Sequence, residues 1–233
     1  MKLAIMQPYL FPYIGYFQLA AAVDRFVFYD DVNFIKNGWI NRNRVLLAGR
    51  SHYLTVPLKG ATSSQHIDAV CVQPQERWLS KLMALLHHAY SRAPQYLPVS
   101  RMVERVLATK TESISQLAAR SVVETCAYLG IETAFVPTSS SYGNDTLKGQ
   151  ARVVDICRIE HATAYINLPG GRALYDAAAF SDAGVKLAFV EPALLPYAQF
   201  GAPFVAGLSI VDALMFQRAE SVRSMLVAQA EVA

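Results

Sequence analysis

The sequence is short of everything that would announce a metal site, a disulfide framework or a membrane span. Its three cysteines, Cys71, Cys126 and Cys157, are odd in number, far apart and in no CxxC or Cys/His spacing. That excludes a zinc knuckle and predicts core thiols in a reducing compartment. No apolar run approaches the roughly 18 residues of a membrane helix. The opening MKLAIMQPYLF carries one lysine and an apolar stretch broken by Pro8 and Pro12, without the charged flank, long apolar region and cleavage site of a secretion signal. The expectation is a cytoplasmic protein with no membrane insertion.

Charge of either sign is also scarce. Lys and Arg number 21 against 18 Asp and Glu, a formal net charge of +3 over 233 residues, with no run of like charges. Nucleic acid is therefore not an expected partner, and an anionic small molecule is. No GxSxG elbow, HxxxD, HExxH or phosphate-binding loop occurs. His87 and His88 are helix neighbours on different faces, and His66 and His161 read as surface residues. A covalent or metal-dependent hydrolase is disfavoured, no metal ligands are assigned, and the cofactor is left unknown.

What the chain has in quantity is core. Hydrophobic residues make up 53% of it, enough for one α/β domain spanning 1–233. Lys2 to Gln7 and Arg25 to Tyr29 read as buried strands, and the apolar stretch YIGYFQLAAAVD between them as a buried crossover helix, together a β-α-β unit. HYLTVPL, residues 52–58, alternates like an edge strand. Residues 75–129 change to helical periodicity, with Trp78, Leu82, Leu85, Leu86 and Tyr90 in one stretch, Leu117, Val122 and Leu129 in another, and Gly130 as terminator. Strand and helix then alternate again through IETAFVP, a helix from about Asp145 to Ile159, ATAYIN, a Gly170-Gly171 turn, a short helix and VKLAFVE. A last helix opens at Ser209, with Asp212 completing an approximate capping box, and runs to the C-terminus. The fold class is α/β, a Rossmann-like, mostly parallel sheet flanked by helices with an inserted helical block.

In such a sheet, ligands bind beyond the carboxyl ends of the strands. Gln7 to Tyr16 and Asp30 to Arg44 both fall there. Tyr9, Phe11, Tyr13, Tyr16, Phe34 and Trp39 supply stacking faces, Lys36, Arg42 and Arg44 supply phosphate contacts, and Asn41 and Asn43 supply directional hydrogen bonds. Asp30 and Asp31 could hold Mg²⁺ or act as a base, with Asp31 preferred. A second polar wall comprises Ser139, Ser140 and Ser141, Asp145 as a helix cap, Lys148 and Arg152, with Asn167 in the YINLPGG segment. Tyr197 and Gln199 would close the pocket. Tyr13-Ile14-Gly15-Tyr16 has the position of the HIGH signature of class I synthetases with both histidines replaced, and Gly15 would let a ligand approach the helix backbone.

The blocks IMQPYLFPYIGYFQL, FVFYDDVNFIKNGWINRNRV, KGQARVVDICR, YINLPGG and LSIVDALMF resemble the WbqC-like family from end to end. The closing block departs from the family in lacking the Asn that commonly follows its Leu-Phe pair. The resemblance implies a protein of bacterial O-antigen and surface-polysaccharide gene clusters that attaches a glycyl or similar acyl group to an amino sugar. It implies a site at Gln7, Tyr9, Tyr13, Asp31, Lys36, Trp39, Asn41, Arg42 and Asn43. Three readings follow. The first is an N-acyltransferase on a nucleotide-linked amino sugar, with Asp31 and Lys36 in catalysis and an acyl carrier protein as possible donor. The second is a non-catalytic nucleotide-sugar binding protein. The third is a nucleotidyltransferase or adenylate-forming enzyme built on the degenerate HIGH-like motif.

Overall fold

The computed structural model describes residues 1–201, 203–226 and 230–232. Strand β1 (Lys2–Met6), helix α1 (Ile14–Ala21) and strand β2 (Arg25–Phe28) form the expected β-α-β unit. The two strands pair in parallel from Leu3↔Arg25 to Met6↔Phe28. Every residue of α1 from Gly15 to Ala20 is buried, as its lack of charge requires.

Strands β5 (Ala134–Val136), β6 (Ala164–Asn167) and β7 (Lys186–Val190) complete a parallel set, and β8 (Ala230–Val232) adds an antiparallel edge to β7. The order across the sheet is β5-β2-β1-β6-β7-β8. The chain therefore walks outward from β1 on one side, then restarts beside β1 and walks out on the other, and the reversal lies between β1 and β6. Those two strands pair only at Lys2↔Ala164 and Leu3↔Tyr165. The reversal of strand order places the carboxyl ends of β1 and β6 side by side.

Both faces are covered. Leu3, Ile5, Val27, Tyr165 and Phe189 meet Val153 and Ile156 of α5 (Gly149–Ile159) and Phe180 of α6 (Ala177–Asp182). Ala4, Phe26, Phe28 and Ile166 face the other way, toward α1 and the helical block. That block is α2 (Leu79–Tyr90), α3 (Tyr96–Leu107) and α4 (Ile114–Leu129), which ends at Gly130 in the left-handed region with φ 68°. Pro98 sits in the first turn of α3, where no intrahelical N–H is needed, so it does not break the helix. None of the helices among the described residues is long and apolar enough to cross a membrane. Burial drives the Cys126 and Cys157 thiols up to about 12, consistent with inert core residues, whereas Cys71, expected in the core as well, is only partly buried.

Three expectations are corrected. Residues 42–44, expected beyond the strand ends, instead open β3 (Arg42–Leu47), which pairs antiparallel with β4 (Arg50–Thr55) in a separate two-stranded sheet. The connecting Ala48 and Gly49 both have positive φ, 48° and 73°, the twist that a two-residue hairpin demands. Helix α5 starts at Gly149 after Lys148, so Asp145 does not cap it. The last helix does not continue to the C-terminus: α7 (Ile210–Phe216) stops where Gln217 turns extended, α8 (Ala219–Ser224) follows, and the chain returns as β8. Ser209 does cap α7, its Oγ accepting from the Val211 N–H at 3.2 Å, but Asp212 is employed elsewhere.

Candidate functional site at the carboxyl edge of the sheet

Beyond β1 the segment 7–12 forms an arch clamped from several sides. Phe11 N–H donates to Ser121 Oγ of α4 at 2.8 Å, and Ser209 Oγ donates to Phe11 O at 2.8 Å. Asn43 of the hairpin donates to Leu10 O at 3.1 Å, Leu10 N–H to Trp39 O at 3.0 Å, and Ile210 N–H to Pro12 O at 2.8 Å. These bonds hold Phe11 at φ 40°, a conformation a bulky L-residue adopts only when its surroundings impose it. Gln7 stands at the foot of the arch. Its carbonyl accepts from the fully buried Tyr16 hydroxyl at 2.8 Å, while its side-chain Oε1 is buried without any partner. An unpaired buried acceptor is costly, so it is a natural place for a ligand N–H or O–H.

Tyr9 packs against Tyr16, and burial raises the phenol pKa of both. Tyr16 therefore belongs to the core and offers no stacking face to solvent. The Tyr13 ring folds back over Gly15, where an added Cβ would lie 2.5 Å from Tyr13 Cε2. The missing side chain at Gly15 makes room for that ring and not for a ligand, a correction to the HIGH-like reading.

Asp30 and Asp31 lie just beyond β2, and both carboxylates converge on Ser139, Asp30 through its backbone N–H and Asp31 through its Oγ. Asp30 accepts from Ser115 Oγ of α4 at 2.7 Å, Thr138 Oγ1 at 2.8 Å and Ser139 N–H at 3.1 Å. Asp31 accepts from Ser139 Oγ and from the guanidinium of Arg152, which is 2% exposed on α5. Burial pushes the Asp31 carboxyl up, but the hydrogen bonds and charge of Arg152, with Ser139, outweigh it, and the net shift is downward. Asp31 is a fixed anion, poorly suited to accept a proton. Arg152 also bonds Asn144 at 2.9 Å and lies 5.1 Å from the Tyr29 ring centre. Among the described residues, no group of three His, Cys, Asp or Glu converges to hold a metal ion.

The hairpin residues divide. Asn41 bonds Val56 O at 2.9 Å, and buried Asn43 is committed to the arch. Arg42 donates to the carbonyls of Asn37 and Gly38 and stacks 4.4 Å from the Tyr53 ring centre. Arg44 lies 5.4 Å from the Trp39 ring centre and donates to Gly207 O at 3.1 Å, leaving its Nε buried and unpaired. Lys36 is exposed.

The second wall is scattered. Exposed Ser140 bonds Thr138, and exposed Lys148 donates to Asp145 O at 2.9 Å. Buried Asn167, at the end of β6, donates to Tyr165 Oη at 2.9 Å and accepts from Leu168 N–H at 2.7 Å. Tyr197 and Gln199 each donate to Asp212 Oδ1 at 2.7 Å, and Tyr90 donates to Oδ2 at 2.7 Å. They anchor the long segment after β7 to α7. Burial raises the pKa of Asp212, against the pull of these three donors.

Ser115, Ser121, Thr138 and Asp212 escaped the sequence reading as parts of this edge. Asp212 had a signal, a lone carboxylate inside the apolar run IVDALMF. Isolated charges on apolar helix faces are rarely buried without assigned partners.

A family model described as the WbqC-like protein family matches residues 7–224. The uncharacterized protein Rv1507c of Mycobacterium tuberculosis (strain ATCC 25618 / H37Rv) is 28% identical over 224 residues, covering 94% of this chain and 95% of its own. No solved structure matches the chain significantly.

Proposed function

From the premise that the chain belongs to the WbqC-like protein family, we propose that it is a cytoplasmic N-acyltransferase of surface-polysaccharide synthesis. It binds a nucleotide-linked amino sugar where the strand order reverses between β1 and β6, and transfers a glycyl or aminoacyl group to the sugar amine. The observation that carries the reading is Gln7, whose buried Oε1 lacks a donor just past the carboxyl end of β1, beside the reversal of strand order. Amine, amide or hydroxyl hydrogens of such a ligand would satisfy it. Asn167 ends the strand on the other side of the reversal.

The chemistry asks little of the protein. The amine attacks the thioester carbonyl of an activated donor, the C–N bond forms, the C–S bond breaks, and the departing thiolate takes the proton that the amine loses. Orientation supplies most of the acceleration. Asp31, held ionised by Arg152, acts as a fixed charge that orients the amine. Lys36 contributes a mobile cation beside the incoming donor.

A non-catalytic nucleotide-sugar binding protein is the second reading, favoured by the commitment of Asp31 to Arg152 and Ser139. Incubating the protein with a nucleotide-linked 4-amino sugar and a glycyl-loaded carrier protein separates the two. Transfer predicts a sugar heavier by one glycyl residue. Binding without product across several acyl donors selects the second reading, and failure to bind any nucleotide sugar rejects both.

A further inference from the structure

The net charge of +3 conceals an uneven distribution. Residues 32–67 contain Lys36, Arg42, Arg44, Arg50 and Lys59 and not one Asp or Glu. The five cations are spaced out along the sequence, so no run of like charge marks them, and the hairpin gathers several of them. Of the five, Lys59 pairs with Glu112, while none of the others has a carboxylate within ion-pair distance among the described residues.

On the outer face of β3–β4 the cations are interleaved with aromatics. Arg42 covers Tyr53, Tyr53 lies 6.5 Å from Trp39, and Arg44 covers Trp39. Arg42 also fastens the turn 35–38, which carries Lys36 and the exposed Ile35, onto the start of β3. The result is a platform of stacked guanidinium and aromatic planes with Tyr53 half exposed. The guanidinium groups are already ordered, so a partner does not bear the entropy of fixing them.

We propose that this face is the docking surface for an acidic acyl carrier protein, the donor that the transferase reading requires; the inference rests on that reading for the identity of the cargo. Arg, Tyr and Trp are the residues that protein interfaces concentrate, and an excess of unpaired positive charge complements an acidic partner. The exposed apolar groups, Ile35 and Tyr53, favour a protein over a phosphate backbone. The location is consistent as well, because the same hairpin clamps the arch through Asn43 and Trp39. A carrier bound here would dock on the same hairpin that, through Asn43, holds the arch.

The test uses the full-length protein and a purified acidic holo-acyl carrier protein, with affinity measured by biolayer interferometry at low and raised salt. The expected result is binding that weakens with salt and falls about tenfold or more in the double variant Lys36→Glu, Arg50→Glu. Lys36→Arg should retain the affinity, and so should Arg158→Glu, a charge reversal on exposed α5 surface away from the hairpin. Circular dichroism establishes that each variant is folded. Absence of carrier binding overturns the proposal, as does equal weakening by Arg158→Glu, or association with anionic lipid vesicles in place of the carrier. Nucleotide-sugar affinity measured on the same samples keeps the two ideas apart. Sugar binding without carrier binding sinks the docking surface alone, and carrier binding without sugar binding sinks the transferase while leaving the surface standing.

Discussion

Arg152 reaches Asp31 across 121 positions of sequence, and both groups are almost entirely removed from solvent. The pair ties α5 to the carboxyl end of β2. Replacing Arg152 with Met leaves a buried carboxylate without its cation and is expected to destabilise the protein by about 3–5 kcal/mol. Adding Asp31→Leu to that variant should restore most of the loss, since the uncompensated charge goes with it. Urea unfolding of the two singles and the double measures the coupling.

The same pair sets a pH dependence. Because the folded Asp31 carboxyl lies below its unfolded value, its contribution to stability is complete above the ordinary carboxylate range, near pH 4, and is lost as pH falls through the folded value. Asp212 has the opposite sign: its folded pKa is raised, so its contribution is complete below the ordinary range and is lost as pH climbs through the folded value. Melting temperatures measured between about pH 2 and 6 should fall less steeply toward acid in Asp31→Asn than in the wild type. Asp212→Asn should steepen the acid decline relative to wild type, by removing a contribution that grows there.

Gln7→Met should separate stability from binding. Removing a buried acceptor with no partner is expected to be neutral or mildly stabilising. Affinity for a nucleotide-linked amino sugar should nevertheless fall about tenfold, corresponding to one lost hydrogen bond of about 1.4 kcal/mol. A drop in melting temperature with unchanged affinity would show that Gln7 serves the fold and not a ligand.

Gly15→Ala places a methyl group where the Tyr13 ring lies. The expected cost is about 1–3 kcal/mol in the wild-type background, and close to none once Tyr13→Ala has emptied the space. Additive costs in a denaturant-based double-mutant cycle would mean that Gly15 is needed for some other reason.

Ser121→Ala removes the acceptor of the Phe11 amide, and the stranded buried N–H should cost about 1–3 kcal/mol. Hydrogen exchange at Phe11 should quicken more than at Leu3 or Val27 in the sheet interior.

The parts of the fold legible in the sequence are those with a strong local period. KLAIM and RFVF are short apolar runs with few alternatives, and the three parallel strands that follow carry the same mark. The hairpin is illegible because β3 reads RNRVLL: its outward positions hold arginines that a sequence reader assigns to a ligand, and its Ala48-Gly49 turn lacks the Asn or Asp that signals such a connection. Helix α3 hides behind Pro94 and Pro98. At the edge of the sheet the relevant residue types were visible, but not their partners. Tyr16, Asn41 and Asn43 look like recognition residues by composition, and each spends its polar group on backbone carbonyls of its own chain. Such commitments depend on which distant elements meet, and local sequence does not encode that.

The clamped arch has a consequence for the order of assembly. Its donors and acceptors come from α4, from the hairpin and from the start of α7, elements separated by most of the length of the chain. Phe11 has no reason to hold its unfavourable dihedral until all three have docked. The arch thus depends on all three contacts at once, and Gln7 is held in place only where all of them are made. Ligand capture at this position would then report the completion of folding, and a partly assembled chain would be unable to sequester its substrate.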